Sequence, residues 1–239
     1  ESYNGSSWSE VGDIPTNQSA GEGAGTQTAG ISFGGEVAPK SLSITWNGSS
    51  WTATPNMNTG RQYLAGFGTQ TAAVAAGGSY PAVNATEEWN GSSWTTVNTL
   101  PTIRYSATGV GILTAGLIYS GSPSAPTATT EYDGTNWTAG GDLLYQADGS
   151  SASGTQTDAL QMGGGPVSSL GGSSAKYNGT SWSATGSMAA GRAEGSGSPS
   201  GTGSTALVTN GSIQTSPTSH PAATEEYNTV NTIKTLTSS

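Results

Sequence analysis

The chain has 239 residues, of which 32% are apolar and 9% are charged, and its formal net charge is −9 with only six Lys plus Arg. So few cations cannot displace the counterions of a nucleic acid, which excludes that class of partner. The composition alone is typical of disordered chains, but seven Trp and nine Tyr at regular intervals indicate packed aromatic side chains.

The sequence shows no membrane-spanning segment, no signal peptide and no cysteine. No run approaches the roughly 20 apolar residues that cross a bilayer, and no signal-peptide pattern is present, so we expect no membrane span. The absence of cysteine excludes a disulfide framework and a thiolate metal site. The chain begins at Glu1 rather than Met, and we expect either a processed chain or an excerpt from a longer one.

One hexapeptide, aromatic-Asn/Asp-Gly-polar-polar-Trp, occurs five times, and a degenerate sixth copy follows. The leading aromatic residues are 43, 43, 43, 45 and 50 residues apart: Tyr3, Trp46, Trp89, Tyr132, Tyr177 and Tyr227. A four-stranded propeller blade repeats every 40 to 50 residues or so. The sequence therefore predicts a β-propeller with one blade for each unit.

The second unit shows the strands of a blade most clearly. Residues 63–68 and 71–76 predict an inner hairpin around Thr69-Gln70, and residues 85–89 and 92–97 predict an outer hairpin around Asn90-Gly91. An Asn-Gly pair favours the two-residue type I′ turn, in which both central residues need positive φ.

That turn would place Trp89 opposite Ser92 and make Trp89 and Trp94 diagonal neighbours on one face. We expect the aromatic pair of each hexapeptide to pack between blades. A ring of exposed platforms for stacking on sugars fits the same repetition, and its members would be Trp51, Trp94, Trp137 and Trp182.

The numbers of hairpins do not match, because the sequence contains five inner hairpins and six outer hairpins. We predict one all-β domain over 1–239, a five-bladed propeller with units at about 14–53, 57–96, 100–139, 143–184 and 188–235. The terminal segments would close the ring, which avoids a free sheet edge. The 1–11 copy keeps Tyr3 and Trp8, so we expect it to be the closing hairpin, leaving part of 224–239 to pair with another subunit. Alternatively, each terminus contributes one strand.

A double glycine after the second strand, followed by Tyr or Trp and then Trp, resembles the kelch repeat. The pairs are Gly34-Gly35, Gly77-Gly78 and Gly163-Gly164, whereas the third and fifth units keep only Gly121 and Gly211. This resemblance covers nearly the whole chain and implies a propeller of four-stranded blades; WD40 repeats fit less well, because the Gly-His and Trp-Asp signatures are absent. The unit also looks like repeats of predicted proteins from marine bacteriophages and their hosts, which implies a virion or surface-appendage protein.

Catalytic residues are hard to find. A copper site of the galactose oxidase kind needs cysteine and several histidines, whereas this chain has no cysteine and only His220, in a Pro/Thr/Ser-rich loop. The paired carboxylates Glu87-Glu88 and Glu225-Glu226 alternate faces in outer strands and are typical of solvated edge charges rather than a glycosidase pair. We therefore expect no enzymatic activity, no cofactor and no metal site.

The three arginines share one repeat position, just before the innermost strand. Arg61, Arg104 and Arg192 occupy it, and Gln18 and Ala147 replace them in the other units. Innermost strands line the central channel, so the sequence predicts a ring at one channel mouth, formed by three guanidiniums and the Gln18 amide, that holds carboxylates or sulfates. Alternatively, each Arg binds loop carbonyls and ties neighbouring blades together.

Low charge, many Ser, Thr and Gly residues and a spare outer hairpin favour a non-enzymatic structural or adhesion propeller. It would lie on a virion, an appendage or a cell exterior and assemble with itself or with a scaffold protein. The first alternative is a lectin-like propeller that binds glycans at the arginine mouth or the Trp platforms. The second is a kelch-type protein-interaction module.

Overall fold

A computed structural model shows a β-propeller of five four-stranded antiparallel blades, which confirms the predicted fold class. The structure describes residues 1–165, 171–194, 196–197, 202–209, 224–228 and 232–236. All regular elements within these ranges are strands. No helix in them could cross a membrane.

Each blade is a meander of an inner hairpin and an outer hairpin, and the strands are numbered in chain order. Blades 1 and 2 comprise β3 (Glu22–Thr26), β4 (Ala29–Phe33), β5 (Ser43–Trp46) and β6 (Trp51–Ala53), then β7 (Ala65–Thr69), β8 (Ala72–Ala76), β9 (Thr86–Trp89) and β10 (Trp94–Val97). Blades 3 and 4 comprise β12 (Thr108–Ile112), β13 (Ala115–Tyr119), β15 (Thr129–Tyr132) and β16 (Trp137–Ala139), then β17 (Ser151–Thr155), β18 (Asp158–Met162), β19 (Ser174–Tyr177) and β20 (Trp182–Ala184). Blade 5 comprises β21 (Ser196–Gly197), β22 (Thr205–Thr209), β23 (Thr224–Asn228) and β24 (Thr232–Leu236).

Two short two-stranded sheets lie beside the blades. One pairs β11 (Arg104–Tyr105) with β14 (Ser122–Pro123) next to blade 3. The other is the N-terminal hairpin, in which β1 (Ser2–Tyr3) pairs with β2 (Trp8–Ser9).

Blade 5 takes its outer hairpin from the C-terminal end of the chain. β22 pairs with β23, with Ala206 opposite Tyr227, and β23 pairs with β24. Among the described strands, β1 and β2 pair only with each other. The 1–11 segment, which the sequence predicted as the closing hairpin, therefore lies outside the five blade sheets in this structure.

The outer hairpins have a longer loop than predicted. Trp89 lies directly opposite Trp94, so the loop of blade 2 contains four residues, 90–93, and the predicted two-residue turn is wrong. Asn90 Oδ1 accepts hydrogen bonds of 2.9 Å from the N–H groups of Ser92 and Ser93. Because this side chain stabilises the turn, only Gly91 needs a positive φ, which is +91°.

The inner hairpin of blade 2 turns one residue later than predicted. Thr69 lies opposite Ala72, which leaves Gln70 and Thr71 in the turn. The shift places Gln70 at the tip, where its amide can reach the preceding blade.

The hydrophobic core is divided among the interfaces between blades. Phe33 of blade 1, for example, lies in one cluster with Ala73, Ala75, Trp89 and Trp94 of blade 2. The loops between blades add a recurring buried side chain to these clusters, at Met57, Leu100, Leu143 and Met188. Small residues on the inner strands let neighbouring sheets approach, and the large side chains fill the remaining space.

Candidate functional site

The repeat arginines lie inside the blades rather than at the channel mouth. Arg61, Arg104 and Arg192 are only 0%, 3% and 2% exposed. Their guanidinium groups face their own sheets, so the predicted ring of exposed guanidiniums is wrong. A soluble ligand cannot reach them in this arrangement.

Arg61 shows what the position does. Its Nε donates to the carbonyl of Gly77 at 2.7 Å, and its Nη1 bonds to the carboxylate of Glu87. Glu87 also accepts the N–H of Asn58 at 2.6 Å. Glu87 is therefore a buried counter-ion and not the solvated edge charge that the sequence predicted.

The other two arginines follow the same plan with different partners. Arg192 Nη2 lies 2.5 Å from Glu225 Oε1, and both side chains are 1% exposed. In blade 3 a threonine replaces the carboxylate, and Arg104 Nη2 donates to Thr130 Oγ1 at 3.0 Å. Burial lowers the pKa of Arg104, and the charge of Asp142 offsets part of this effect.

Glutamines take over where the arginine is missing. In blade 1, Gln18 Nε2 donates to the carbonyl of Gly34 at 3.2 Å, the equivalent of the Arg61 bond to Gly77. In blade 4, which has Ala147 at the arginine position, Gln161 on β18 donates to the carbonyl of Gly163. In blades 1, 2 and 4 the shared role is to satisfy the carbonyl of the first glycine of the pair. This agrees with the alternative that the arginines bind backbone carbonyls, but the side-chain bonds of Arg61 lie within its own blade and the loop before it rather than between blades.

Three of the four predicted Trp platforms, Trp94, Trp137 and Trp182, pack between blades. Trp94 and Trp182 are 6% and 5% exposed, and Trp51 and Trp137 are partly buried. Three indole N–H groups donate to a hydroxyl of the preceding blade: Trp94 to Ser43 at 3.3 Å, Trp137 to Thr86 at 3.0 Å, and Trp182 to Thr129 at 2.8 Å. The first and last of these indoles also pack edge-on against Phe33 and Tyr119, with centroids 5.0 and 4.8 Å away.

The channel mouth is lined by a different set of residues, two positions after the arginine position. Each has a positive φ between 53° and 63°, and they are Ala20, Tyr63, Ser106, Gly149 and Glu194. The N–H of each of the last four donates to the carbonyl of the preceding member, at 2.7–3.1 Å. A chain of backbone hydrogen bonds thus joins all five blades around the mouth, and we call these residues the mouth ring.

The mouth ring opens into a central cavity of about 840 Å³ that residues of all five blades line. Glu36, Asp148 and Glu194 contribute carboxylates at its rim, and Glu22 lies on the innermost strand of blade 1. Burial raises the pKa of Glu22 to about 8, partly opposed by a backbone hydrogen bond from Gly23. The Asp148 carboxylate is already engaged by Ser120, Gly121 and Ser122.

This site does not follow from the sequence repeat, because its side chains do not repeat. At the mouth ring the backbone conformation repeats while the side chains differ from blade to blade: Ala, Tyr, Ser, Gly and Glu. Variable side chains on a fixed backbone are typical of a recognition surface. Variation at a fixed repeat position was the signal available in the sequence.

Comparison with protein-family models gives no match for this chain, and comparison with curated proteins gives none either. Within the described ranges, no three His, Cys, Asp or Glu side chains are grouped so that they could hold a metal ion. His220 lies outside the described residues. The propeller fold therefore suggests a binding or protein-interaction module, and the geometry must supply any finer assignment.

Proposed function

We propose that this protein is a non-enzymatic structural propeller that assembles with copies of itself or with a scaffold protein on the exterior of a virion, an appendage or a cell. The low content of charged residues, 9% of the chain, supports this proposal, because the cores of protein interfaces are depleted of charged side chains. The kelch-like and phage-like resemblance of the repeat points in the same direction.

One observation carries the proposal. The chain forms six outer hairpins for five inner hairpins, so one outer hairpin has no inner strand of its own. In this structure β1 pairs only with β2 among the described strands, whereas the equivalent strand of each blade, such as β23, also pairs with an inner strand. An unpaired strand edge accepts a strand from another chain, and main-chain hydrogen bonds then supply the affinity.

The predicted glycan sites support the proposal indirectly. The repeat arginines and tryptophans that a lectin would use are occupied by contacts within and between blades. These contacts stabilise a rigid propeller, which is what a structural subunit requires.

The test is the mass in solution by multi-angle light scattering across a range of concentrations. We expect oligomers for the full chain and monomers for a variant that lacks residues 1–11. Replacing Ser6 and Ser7 with Ala, in the exposed loop of the same hairpin, is the matched control and should leave the mass unchanged. A full chain that stays monomeric at the highest concentration contradicts the proposal.

A second candidate function follows from the mouth ring. Its five different residues surround a cavity large enough for one side chain of a partner, and Tyr63 is 38% exposed there. A peptide-binding module would use this face. Selection from a displayed random-peptide library should then enrich sequences whose binding is lost in Tyr63→Ser, with Tyr80→Ser, an exposed tyrosine outside the cavity, as control.

A further inference from the structure

A buried hydroxyl on blade 4 has no partner among the described residues. Ser174 is 1% exposed, and its Oγ makes no hydrogen bond there. Ser43, Thr86 and Thr129 hold the equivalent position in blades 1 to 3, and each accepts the indole N–H of the next blade. A buried polar group left unpaired in one of four equivalent sites indicates a missing donor.

The pocket around Ser174 otherwise resembles the occupied ones. Ser174 lies opposite Met162 across the sheet, as Ser43 lies opposite Phe33 and Thr129 opposite Tyr119. Phe33 and Tyr119 contact the indole that the hydroxyl binds. A methionine can take that place, because its thioether packs well against aromatic rings.

The hairpin that closes blade 5 has no indole at the corresponding position. In β24 the residue opposite Tyr227 is Ile233, whereas Trp94 and Trp182 stand opposite the leading aromatic residue in their own blades. Isoleucine has no side-chain N–H. Blade 5 is therefore closed by the one hairpin of the chain that lacks the required tryptophan.

The N-terminal hairpin has that tryptophan unused. Trp8 is 40% exposed, and its indole N–H makes no hydrogen bond among the described residues. The same hairpin also carries the other two groups that blade 5 needs. Glu1 stands two residues before Tyr3, as Glu225 stands two residues before Tyr227. Glu225 pairs with Arg192, and the Tyr227 hydroxyl lies 2.8 Å from Thr185 Oγ1.

The N-terminal hairpin already contacts blade 1, the neighbour that an outer hairpin of blade 5 would have. Gln27 of blade 1 donates to the carbonyl of Tyr3 at 2.8 Å. Gln70 and Gln156 make the equivalent bond to the leading aromatic residue of the preceding blade, to Trp46 at 2.5 Å and to Tyr132 at 3.0 Å. Blade 1 therefore holds this hairpin as it would hold the outer hairpin of blade 5.

Blade 1 also has unfilled space beside the N-terminal hairpin. The face of β4 that points away from blade 2 carries Gly30 and Ser32, which are partly exposed, whereas the equivalent Ala73 and Ala75 are fully buried. A groove of about 950 Å³ lies between this face and the N-terminal hairpin. The fifth link of the mouth ring, from Ala20 N–H to the carbonyl of Glu194, is missing among the described hydrogen bonds.

From these observations we infer that Ser174 and Met162 form an indole-binding site whose occupant is Trp8 of the same chain. The N-terminal hairpin then exchanges with β23–β24 as the outer hairpin of blade 5. The same chain is the occupant because a hairpin tethered to blade 1, which shares the central cavity with blade 5, has a high effective concentration. The inference starts from the same surplus hairpin as the proposed function, but it concerns only which hairpin is surplus.

Engineered disulfides distinguish the two arrangements, because the chain has no cysteine of its own. Leu207 lies opposite Glu226 in this structure, and Ser2 would take that place after the exchange. We expect the full chain with Ser2→Cys and Leu207→Cys to form an intrachain disulfide on mild oxidation, seen by peptide mass mapping. Glu226→Cys with Leu207→Cys reports the arrangement described here. A disulfide that forms only with the Glu226 pair, or only between separate chains, overturns the inference.

Thermal unfolding gives a second readout. We expect Trp8→Phe and Ser174→Ala each to lower the Tm by about 3 °C, with no further loss in the double variant, because one hydrogen bond is removed in all three. Trp182→Phe, whose bond to Thr129 is formed here, is the positive control. If Trp8→Phe leaves the Tm unchanged and Ser174→Ala raises it, Ser174 is simply unsatisfied and the inference fails. A monomer that forms the Ser2–Leu207 cross-link would instead reject only the proposed assembly.

Discussion

Arg61 and Glu87 form an ion pair in which neither side chain has any exposed surface. The pair joins the segment before the innermost strand of blade 2 to its third strand, and Glu87 holds the loop backbone at Asn58 and Thr59 as well. Removing the carboxylate leaves a guanidinium buried without a counter-ion, which costs far more than losing a surface pair.

We therefore expect Glu87→Ala to lower the free energy of unfolding by about 3 kcal/mol, measured by urea denaturation. Glu87→Thr should cost less, because Thr130 serves Arg104 in blade 3 as a hydroxyl acceptor. Glu10→Ala, at an exposed position, is the control. Equal losses in Glu87→Ala and Glu10→Ala would contradict the structural role of the pair.

Glu22 should make the protein less stable as the pH rises. Its pKa is about 8 in the folded chain and about 4.5 in the unfolded chain, so between these values the unfolded state releases a proton that the folded state keeps. Its favourable contribution is complete below pH 4.5 and is lost as the pH rises to 8.

Glu22→Gln removes this dependence, so we expect equal stability near pH 4 and a gain of about 2 kcal/mol at pH 8. That value is below the full shift, because Glu22 lines an open cavity. Denaturation of both proteins at several pH values measures the difference. A difference that does not change with pH would show that Glu22 keeps an ordinary pKa.

Tyrosine hydroxyls bind blades to one another. Tyr177 donates to Glu131 of the preceding blade at 2.7 Å, and burial together with this carboxylate raises the pKa of Tyr177 to about 12. We expect Tyr177→Phe to cost about 1.5 kcal/mol in chemical denaturation, as for a hydrogen bond to a charged group. Tyr80→Phe, at a tyrosine that is 68% exposed, should be neutral.

Gln70 bridges blades 1 and 2 through the carbonyls of Gly30 and Trp46. Leu113 holds the equivalent position in blade 3, so leucine is sterically compatible with the site. We expect Gln70→Leu to keep the fold but to lower stability by about 1 kcal/mol. Hydrogen exchange should then accelerate in β4 and β5 and stay unchanged in blade 4. Uniform acceleration across all blades would mean that the bridge acts globally.

The repeat spacing predicted the fold because each unit is a complete local structure. Two hairpins closed by short turns need only contacts within about 40 residues, so their number and order follow from the sequence. The hexapeptide predicted the aromatic pairs for the same reason. Its turn was mispredicted because the Asn90 side chain replaces a backbone conformation, an effect that the Asn-Gly signal does not reveal.

The repeat spacing predicted that the three arginines share one position, but it did not predict their role. A repeat position says where a side chain begins, whereas Arg61 extends away from the channel into its own sheet, towards carbonyls contributed by Ala75 and Gly77. The mouth ring escaped prediction because only its backbone repeats.

The sequence by itself determined the number of blades, the hairpins within them and the excess of one outer hairpin, since all of these depend on local spacing. Only the tertiary structure decided the direction of buried side chains, the counter-ion of Arg61 and the hairpin that pairs with β22. Arg61 and its counter-ion are 26 residues apart in the chain, and the choice between two similar hairpins depends on the contacts that each gains. With β23–β24 in that place, the buried hydroxyl of Ser174 has no hydrogen-bond partner among the described residues.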